Sequence, residues 1–205
     1  MADGNPQVKR GRKFDQVLEG ARKIFMSDGF EGASVDDIAR AAGVSKATLY
    51  SYFPDKRLLF MEVAKSECIR QADMAMETID MSEPVADVLT QAAWQMVEFF
   101  TSEFGQRVFR LCVAESDRFP ELGREFYESG PALVRAKLME FMKIGMSRGE
   151  LEIEDLPLAA DQFGELCKAD LFPRLVFSID NNFDHAAKER IVKGAVETFI
   201  ARYKA

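Results

Sequence analysis

The chain has 205 residues, of which 47% are hydrophobic and 30% are charged, and its formal net charge is −7 at pH 7. Such a chain can bury one good core and still has room for a small second domain. A membrane-spanning protein is not expected, because no run of about 18 or more apolar residues occurs. The first ten residues also lack the apolar segment of a secretory signal, so we expect a cytoplasmic protein without a membrane partner.

The negative charge is unevenly distributed along the chain. Residues 1–57 carry ten Lys and Arg against eight Asp and Glu, whereas the remaining residues carry 17 against 26. A basic arm of Lys9, Arg10, Arg12 and Lys13 precedes the first predicted helix, where it could reach a DNA backbone or minor groove. The alternative is a solvated chain start. The acidic total therefore does not exclude DNA as a partner.

Apolar residues recur at helical spacing almost throughout, which predicts an all-α protein of about nine helices. A three-helix helix-turn-helix domain is expected over residues 1–54, and a larger helical bundle over 55–205. We expect the long helix 55–80 to link them. The predicted helices span 14–28, 35–42, 46–52, 55–80, 85–102, 104–117, 121–148, 157–178 and 184–203. Ser129-Gly130-Pro131 should kink or break the seventh of these, and residues 151–154 should form a short extended connector.

Residues 34–53 read SVDDIARAAGVSKATLYSYF and predict two short helices around a tight turn. Ser34 and Asp37 have the spacing of a capping box, in which the hydroxyl and the carboxylate both satisfy backbone N–H groups. Gly43 suits the left-handed residue that ends the first helix. Pro54 stops the second. This arrangement is typical of a helix-turn-helix that binds DNA.

The second of these helices should present a polar face to DNA. Ser45 can cap it, while Leu49 and Phe53 point into the core. A helix that enters a major groove needs small residues and hydrogen-bond donors. The residues that supply them are Ser45, Lys46, Ala47, Thr48, Tyr50, Ser51 and Tyr52. The alternative is a short amphipathic helix pair without a DNA partner, since small polar faces are common.

The segment FEGASVDDIARAAGVSKATLYSYFPDKRLLF closely resembles the DNA-binding signature of the TetR family of transcriptional regulators. Further on, RVFRLCVAESDRFPELGREFYESGP is similar to the C-terminal ligand and dimerisation domain of an AcrR/AefR-like subgroup. The resemblance implies a homodimeric repressor that binds a palindromic operator in double-stranded DNA and is released by a small-molecule effector. It also implies phosphate contacts from Ser34 and Lys56, and DNA contacts from the helix that starts after Ser45.

Aromatic and flexible apolar side chains are frequent after residue 90. They can either fill a core or line a ligand cavity, and the residues alone leave both readings open. With the resemblance, we expect a pocket for an apolar or amphipathic molecule. The expected lining residues are Trp94, Phe99, Phe100, Phe109, Cys112, Phe126, Met139, Met142 and Phe163.

The last two predicted helices carry a wide apolar stripe. The resemblance implies a four-helix bundle across a two-fold axis, and the alternative is burial within one subunit. The expected interface residues are Phe163, Leu171, Ile191, Val192, Ala195, Val196 and Phe199.

An all-α enzyme is the main competing class. A di-iron site needs paired Glu-x-x-His motifs, whereas His185 is the only histidine. Phosphate loops, dinucleotide glycine motifs and nucleophile elbows are also missing from the sequence. The three cysteines are widely spaced, so we expect buried apolar residues, with thiol sensing as the alternative. We therefore predict no enzyme activity, metal or cofactor; a DNA-binding repressor without a ligand is a further alternative.

Overall fold

The computed structural model describes residues 11–180 and 182–205, with the backbone alone at residues 75 and 76. These residues form eleven helices, and their only β-type pairing is an isolated antiparallel bridge between Leu151 and Lys204. The all-α prediction is confirmed. The helices are α1 (Arg12–Gly32), α2 (Val35–Ala42), α3 (Lys46–Tyr52), α4 (Lys56–Thr78), α5 (Val85–Thr101), α6 (Glu103–Glu115), α7 (Pro120–Ser129), α8 (Pro131–Ser147), α9 (Leu156–Leu166), α10 (Leu171–Val176) and α11 (His185–Tyr203).

The described residues hold more helices than the nine predicted because two predicted helices are interrupted. The break expected at Ser129-Gly130-Pro131 is confirmed, and Pro131 becomes the first residue of α8. The predicted helix 157–178 divides into α9 and α10, since Pro173 has no N–H to donate and its ring would clash with a preceding helical carbonyl. The turn between these two helices contains Asp170 at a φ of 62°.

The chain divides into two compact units, the first ending at Ser66 and the second running from Glu67 to Ala205. In the first unit, α1 and α2 pack against each other and α3 packs on α2. Its core includes Val17, Ile38 and Leu49, which are at most 1% exposed.

Helix α1 lies close against α2 at Gly20. A Cβ atom placed on Gly20 would lie 2.6 Å from the backbone nitrogen of Ala42, which is closer than such atoms pack. We expect Gly20→Ala to push the two helices apart and to lower the free energy of unfolding by about 1–3 kcal/mol. A thermal melt followed by circular dichroism measures this loss.

Gly123→Ala in α7 is the matched control for this substitution. The Cβ would meet its nearest neighbour, the Cβ of Ser116, at 3.4 Å, which is an ordinary contact. Alanine is the better helix former, so the free energy of unfolding of this variant should rise by about 0.5–1 kcal/mol. Equal melting temperatures for Gly20→Ala and the unaltered protein would contradict the close packing of α1 on α2.

In the second unit, α5 packs against α8 and α11, and α9 packs against α8 and α11. These four helices supply most of its apolar core. The predicted connector at 151–154 lies beside the end of α11, where the N–H of Glu152 donates to the carbonyl oxygen of Tyr203 at 2.8 Å.

The apolar stripe on α11, which was predicted to form a dimer interface, is part of this core. Phe199 is 1% exposed, and its ring lies 5.2 Å from that of Phe163, centroid to centroid. The seven predicted interface residues are all buried within the single chain: Phe163, Leu171, Ile191, Val192, Ala195, Val196 and Phe199. This packing agrees with the alternative of burial within one subunit. They have almost no surface left to offer a second chain, because they already pack inside this one.

Candidate DNA-binding face and ligand cavity

The turn between α2 and α3 has the geometry predicted from the sequence. The Ser34 hydroxyl oxygen accepts from the backbone N–H of Asp37 at 3.1 Å, and the Ser45 hydroxyl oxygen accepts from that of Thr48 at 3.1 Å. Gly43 ends α2 in the left-handed region, with φ 64° and ψ 32°. Both helices are therefore capped, and the glycine sets the direction in which α3 leaves the turn.

The capping box at α2 differs from the expected one in its second half. The carboxylate of Asp37 accepts from the Ser34 hydroxyl at 2.5 Å and from Nη1 of Arg40 at 2.6 Å, rather than from a backbone N–H. These hydrogen bonds, that of Ser34 first, hold the pKa of Asp37 below its usual value. The Ser34 hydroxyl thus has an intramolecular acceptor, and a phosphate that approached it would meet the Asp37 carboxylate.

Helix α3 separates buried from exposed residues as predicted. Leu49 and Phe53 are 1% and 7% exposed, and both belong to the core of the first unit. On the other side, Tyr50 is 48% exposed. The small and polar residues beside Tyr50 are also exposed: Ser45, Lys46, Ala47 and Ser51.

Several of the predicted contact residues on α3 are already engaged within the unit. The hydroxyls of Ser45 and Thr48 lie 2.9 Å apart, and that of Ser51 donates to the Thr48 carbonyl at 2.6 Å. Tyr52 is half-buried, with its ring edge against Phe14 at a centroid distance of 5.8 Å. These four side chains stabilise the helix and its position on the unit.

Lys46 is held by an ion pair that DNA can replace. Its Nζ lies 2.5 Å from Oδ1 of Asp36, and both side chains are more than half exposed. An exposed pair of this kind contributes only about 0–1 kcal/mol. The Lys46 ammonium can therefore exchange the carboxylate for a phosphate or a base edge at little cost.

Lys56, for which the resemblance implies a phosphate contact, makes contacts within the first unit. Its Nζ donates to the carbonyl oxygens of Phe30 and Ala33 at 2.8 and 3.1 Å and lies 4.4 Å from the centre of the Phe30 ring. Lys56 thus ties the start of α4 to the end of α1 and to Ala33, the residue that follows α1. In the basic arm, Arg12 is exposed at the start of α1, whereas Lys9 and Arg10 lie outside the described residues.

Lys56→Met should test this structural role. Two part-buried carbonyl oxygens would lose their donor, so we expect the free energy of unfolding to fall by about 1–3 kcal/mol. The salt dependence of DNA binding should not change. If Lys56 instead binds a phosphate, the slope of log affinity against log salt should fall by about 1. A thermal melt and a salt titration distinguish the two results.

A cavity of about 250 Å³ lies in the second unit. Its wall is formed by residues from α4 to α10, and the contribution of α4 is Cys68, Gln71 and Ala72. Of the predicted lining residues, Phe99, Phe100, Phe109 and Phe126 lie on this wall.

The other five predicted lining residues lie elsewhere. Trp94 stacks on His185 at 4.8 Å, and Met139 packs against the core. The three remaining residues, Cys112, Met142 and Phe163, are buried, with at most 3% exposure. All five are apolar residues on the same helices as cavity residues, but they point into other parts of the packing.

Sequence reasoning missed the aromatic residue Phe172 of the wall, and the polar wall residues Gln71 and Lys168. Phe172 lies in the segment that was assigned to the dimer interface. Gln71 lies on α4, which was expected to link the domains rather than to line a pocket. Its amide nitrogen donates to the buried carboxylate of Glu67 at 3.2 Å.

Five of the six phenylalanine rings on the wall form a continuous series of ring contacts. Neighbouring ring centres in the order Phe99, Phe100, Phe172, Phe109 and Phe126 are 6.2, 6.0, 4.9 and 6.5 Å apart. Their planes are inclined by 63–75°, which is the edge-to-face geometry that aromatic rings prefer.

Charged groups on the cavity wall occur as ion pairs. Nζ of Lys168 lies 2.6 Å from Oε1 of Glu165, and Nη1 of Arg135 lies 3.4 Å from Oδ2 of Asp161. All four residues line the cavity. Lys137 is a third cation on the wall, and its Nζ lies 3.9 Å from Oε2 of Glu140, which does not line the cavity. The wall therefore offers donors and acceptors together, with one more cation than carboxylates.

The cysteines are suited to packing rather than to thiol chemistry. Burial raises the pKa of Cys68 to about 11 and the pKa values of Cys112 and Cys167 to about 12. Their thiolate forms are therefore scarce at neutral pH.

Two kinds of feature are absent from the described part of the chain. None of the helices is both long and apolar enough to cross a membrane. Within the same part of the chain, no group of three or more His, Cys, Asp or Glu side chains is placed to hold a metal ion.

Two capped helices around a left-handed glycine, with an exposed polar face on the second, define a helix-turn-helix DNA-binding protein. Comparison with known families agrees. Residues 17–63 match the tetR family of bacterial regulatory proteins, and residues 87–205 match the C-terminal domain of AefR-like transcriptional repressors. The chain belongs to the TetR family of DNA-binding transcriptional repressors, which are not enzymes.

Individual relatives span nearly the whole chain. A TetR-family transcriptional regulator from Mesorhizobium loti has a TM-score of 0.82 at 30% identity, over 97% of this chain and 100% of that one. The flavonoid-responsive regulator FrrA has a TM-score of 0.69 at 33% identity, over 95% and 98%. The HTH-type transcriptional regulator YdeS of Bacillus subtilis is 27% identical over 91% of this chain and 92% of its own length.

Proposed function

We propose that this protein is a cytoplasmic homodimeric repressor that binds a palindromic operator and is released by a small apolar or amphipathic ligand. The observation that carries the proposal is the continuity of α4. This helix begins at Lys56 in the helix-turn-helix unit, and its later residues Cys68 and Gln71 line the cavity of the second unit. In this proposal, residues 1–54 bind DNA and residues 55–205 bind ligand and dimerise.

A dimer explains how such a short α3 could select an operator. Two copies related by a two-fold axis present two reading helices to two half-sites of a palindrome. Because the stripe on α11 is buried, we expect exposed side chains of the second unit to form the dimer interface. Apolar candidates are Leu158, Phe177 and Ile179, which are 50%, 75% and 68% exposed.

Ligand release requires that the ligand bind better to a form that cannot hold both half-sites. The largest possible loss of operator-binding free energy equals the difference between the ligand-binding free energies of the two forms. A ligand in the cavity would contact α4 at Gln71. Because α4 begins at Lys56, directly after α3, a displacement of α4 would also move its first turn beside α3. The name of FrrA, a flavonoid-responsive relative, supports an amphipathic effector.

The test is a pull-down of genomic DNA fragments with the purified full-length protein, read by sequencing at a stated salt concentration. One enriched palindrome beside a promoter is the expected result, and the neighbouring genes would suggest candidate effectors. Enrichment of non-palindromic DNA would count against the dimeric reading. No enrichment at low or moderate salt, after the protein has been unfolded and refolded to remove bound ligand, would contradict the proposal.

A further inference from the structure

We propose that the cavity selects a flat aromatic molecule that carries a hydroxyl group, in preference to an acyl chain of similar size. The role of this ligand as an effector rests on the function proposed above, in which the effector binds the same cavity. The inference concerns the chemical class of the ligand and comes from the arrangement of rings and ion pairs on the wall.

The ring series favours an aromatic ligand. From Phe99 to Phe126, neighbouring phenylalanine rings on the wall meet edge to face, at centroid distances of 4.9–6.5 Å. An inserted aromatic ring can continue this edge-to-face pattern and gains an attraction beyond simple burial of apolar area. An acyl chain gains only the burial. It also loses many freely rotating bonds when it binds, which a flat rigid molecule does not.

The polar groups that would bind a hydroxyl lie beside the second and third rings of the series, Phe100 and Phe172. Nζ of Lys168 lies 5.5 Å from the centre of the Phe100 ring and 5.8 Å from that of Phe172, and Glu165 is its ion-pair partner. A phenolic hydroxyl placed here can accept from the Lys168 ammonium and donate to the Glu165 carboxylate. An anionic head group would instead face the carboxylate of Glu165 as well as the ammonium.

The volume of about 250 Å³ sets the size of the ligand. It is near the lower end of the range for small-molecule sites, roughly 300–1,000 Å³. Two linked or fused rings suit this space, whereas a nucleotide-bearing conjugate would have to remain mostly outside.

Isothermal titration calorimetry of the full-length protein with three probes tests the class. The probes are para-hydroxystilbene, trans-stilbene and myristate, which have similar numbers of non-hydrogen atoms. We expect one para-hydroxystilbene per chain, bound at least about tenfold more tightly than myristate, and a weaker affinity for trans-stilbene. Myristate binding as tightly as para-hydroxystilbene would overturn the inference. So would failure of both stilbenes to bind.

Two variants connect the selectivity to named residues. Phe172→Leu keeps an apolar side chain but interrupts the ring series, so stilbene affinity should fall about three- to tenfold while myristate affinity is unchanged. Lys168→Met should abolish the advantage of para-hydroxystilbene over trans-stilbene. The control is Tyr127→Leu, at a ring that is 51% exposed and does not line the cavity. Equal losses in Phe172→Leu and Tyr127→Leu would contradict binding at this wall.

The outcome for regulation is measured separately. If para-hydroxystilbene binds but does not release an operator found by the pull-down, the ligand class stands and release by ligand fails. If the pull-down finds no operator while the stilbenes bind with the expected selectivity, the proposed function fails and the cavity assignment remains.

Discussion

Tyr50→Ala is expected to weaken operator binding by about 1–3 kcal/mol, or roughly five- to 150-fold. Tyr50 is the largest exposed side chain on α3, and the small residue Ala47 lies on the same exposed face. Small neighbours let the helix backbone approach the groove, so the tyrosine can reach base edges or the thymine methyl group. Fluorescence anisotropy with the operator found by the pull-down, at one fixed salt concentration, measures the loss.

Lys46→Ala should show a similar loss with a different dependence on salt. If the ammonium exchanges Asp36 for a phosphate, its removal should lower the salt slope by about 1, whereas Tyr50→Ala should leave the slope unchanged. Tyr127→Ala serves as the control, because Tyr127 is 51% exposed on α7 in the second unit. Unchanged operator affinity in both α3 variants would contradict the proposal that this face of α3 binds DNA.

The helix-turn-helix was predictable because its determinants are local. The caps at Ser34 and Ser45 and the left-handed Gly43 each depend on residues within four positions, so the sequence pattern contains the geometry. The exposed and buried faces of α3 followed from helical spacing alone. The role of Lys56 did not, since its acceptors Phe30 and Ala33 lie more than twenty residues earlier in the chain.

The cavity was less predictable because its wall depends on how seven helices pack. An apolar residue at helical spacing can face a core or a cavity, and the same helix can serve both. Helix α5 shows this, since Phe99 lines the cavity while Val97, two residues earlier, is 1% exposed in the core. The series of ring contacts also joins Phe172 of α10 to Phe109 of α6, a pairing that no local pattern records.

The stripe on α11 was assigned to a dimer for a related reason. It contains more apolar surface than one ordinary helix contact needs, and the sequence cannot show that α5 and α9 share it. Burial inside the chain and burial between chains leave the same pattern in one sequence. A substitution distinguishes the two cases, because the stability of the folded unit depends on these side chains only if they are buried inside the chain.

Phe199→Ala should therefore lower the free energy of unfolding of the second unit by about 3–5 kcal/mol, rather than merely dissociate a dimer. Phe199 is 1% exposed, and its ring contacts Phe163 and Tyr203 at centroid distances of 5.2 and 4.7 Å. Removing the ring leaves a cavity that the surrounding helices can only partly fill. Chemical denaturation measures the loss, and sedimentation velocity measures the state of association in the same samples.

Thr198→Ala, one residue away on the exposed side of α11, is the matched control and should change stability by no more than about 0.5 kcal/mol. A Phe199→Ala protein that sediments as a monomer but unfolds at the same denaturant concentration as the unaltered chain would restore the stripe to an interface between subunits. A destabilised variant that still associates would place the interface on the exposed side chains. In that case Phe199 does not contact the second chain, but its packing inside its own chain supports the surface that the second chain binds.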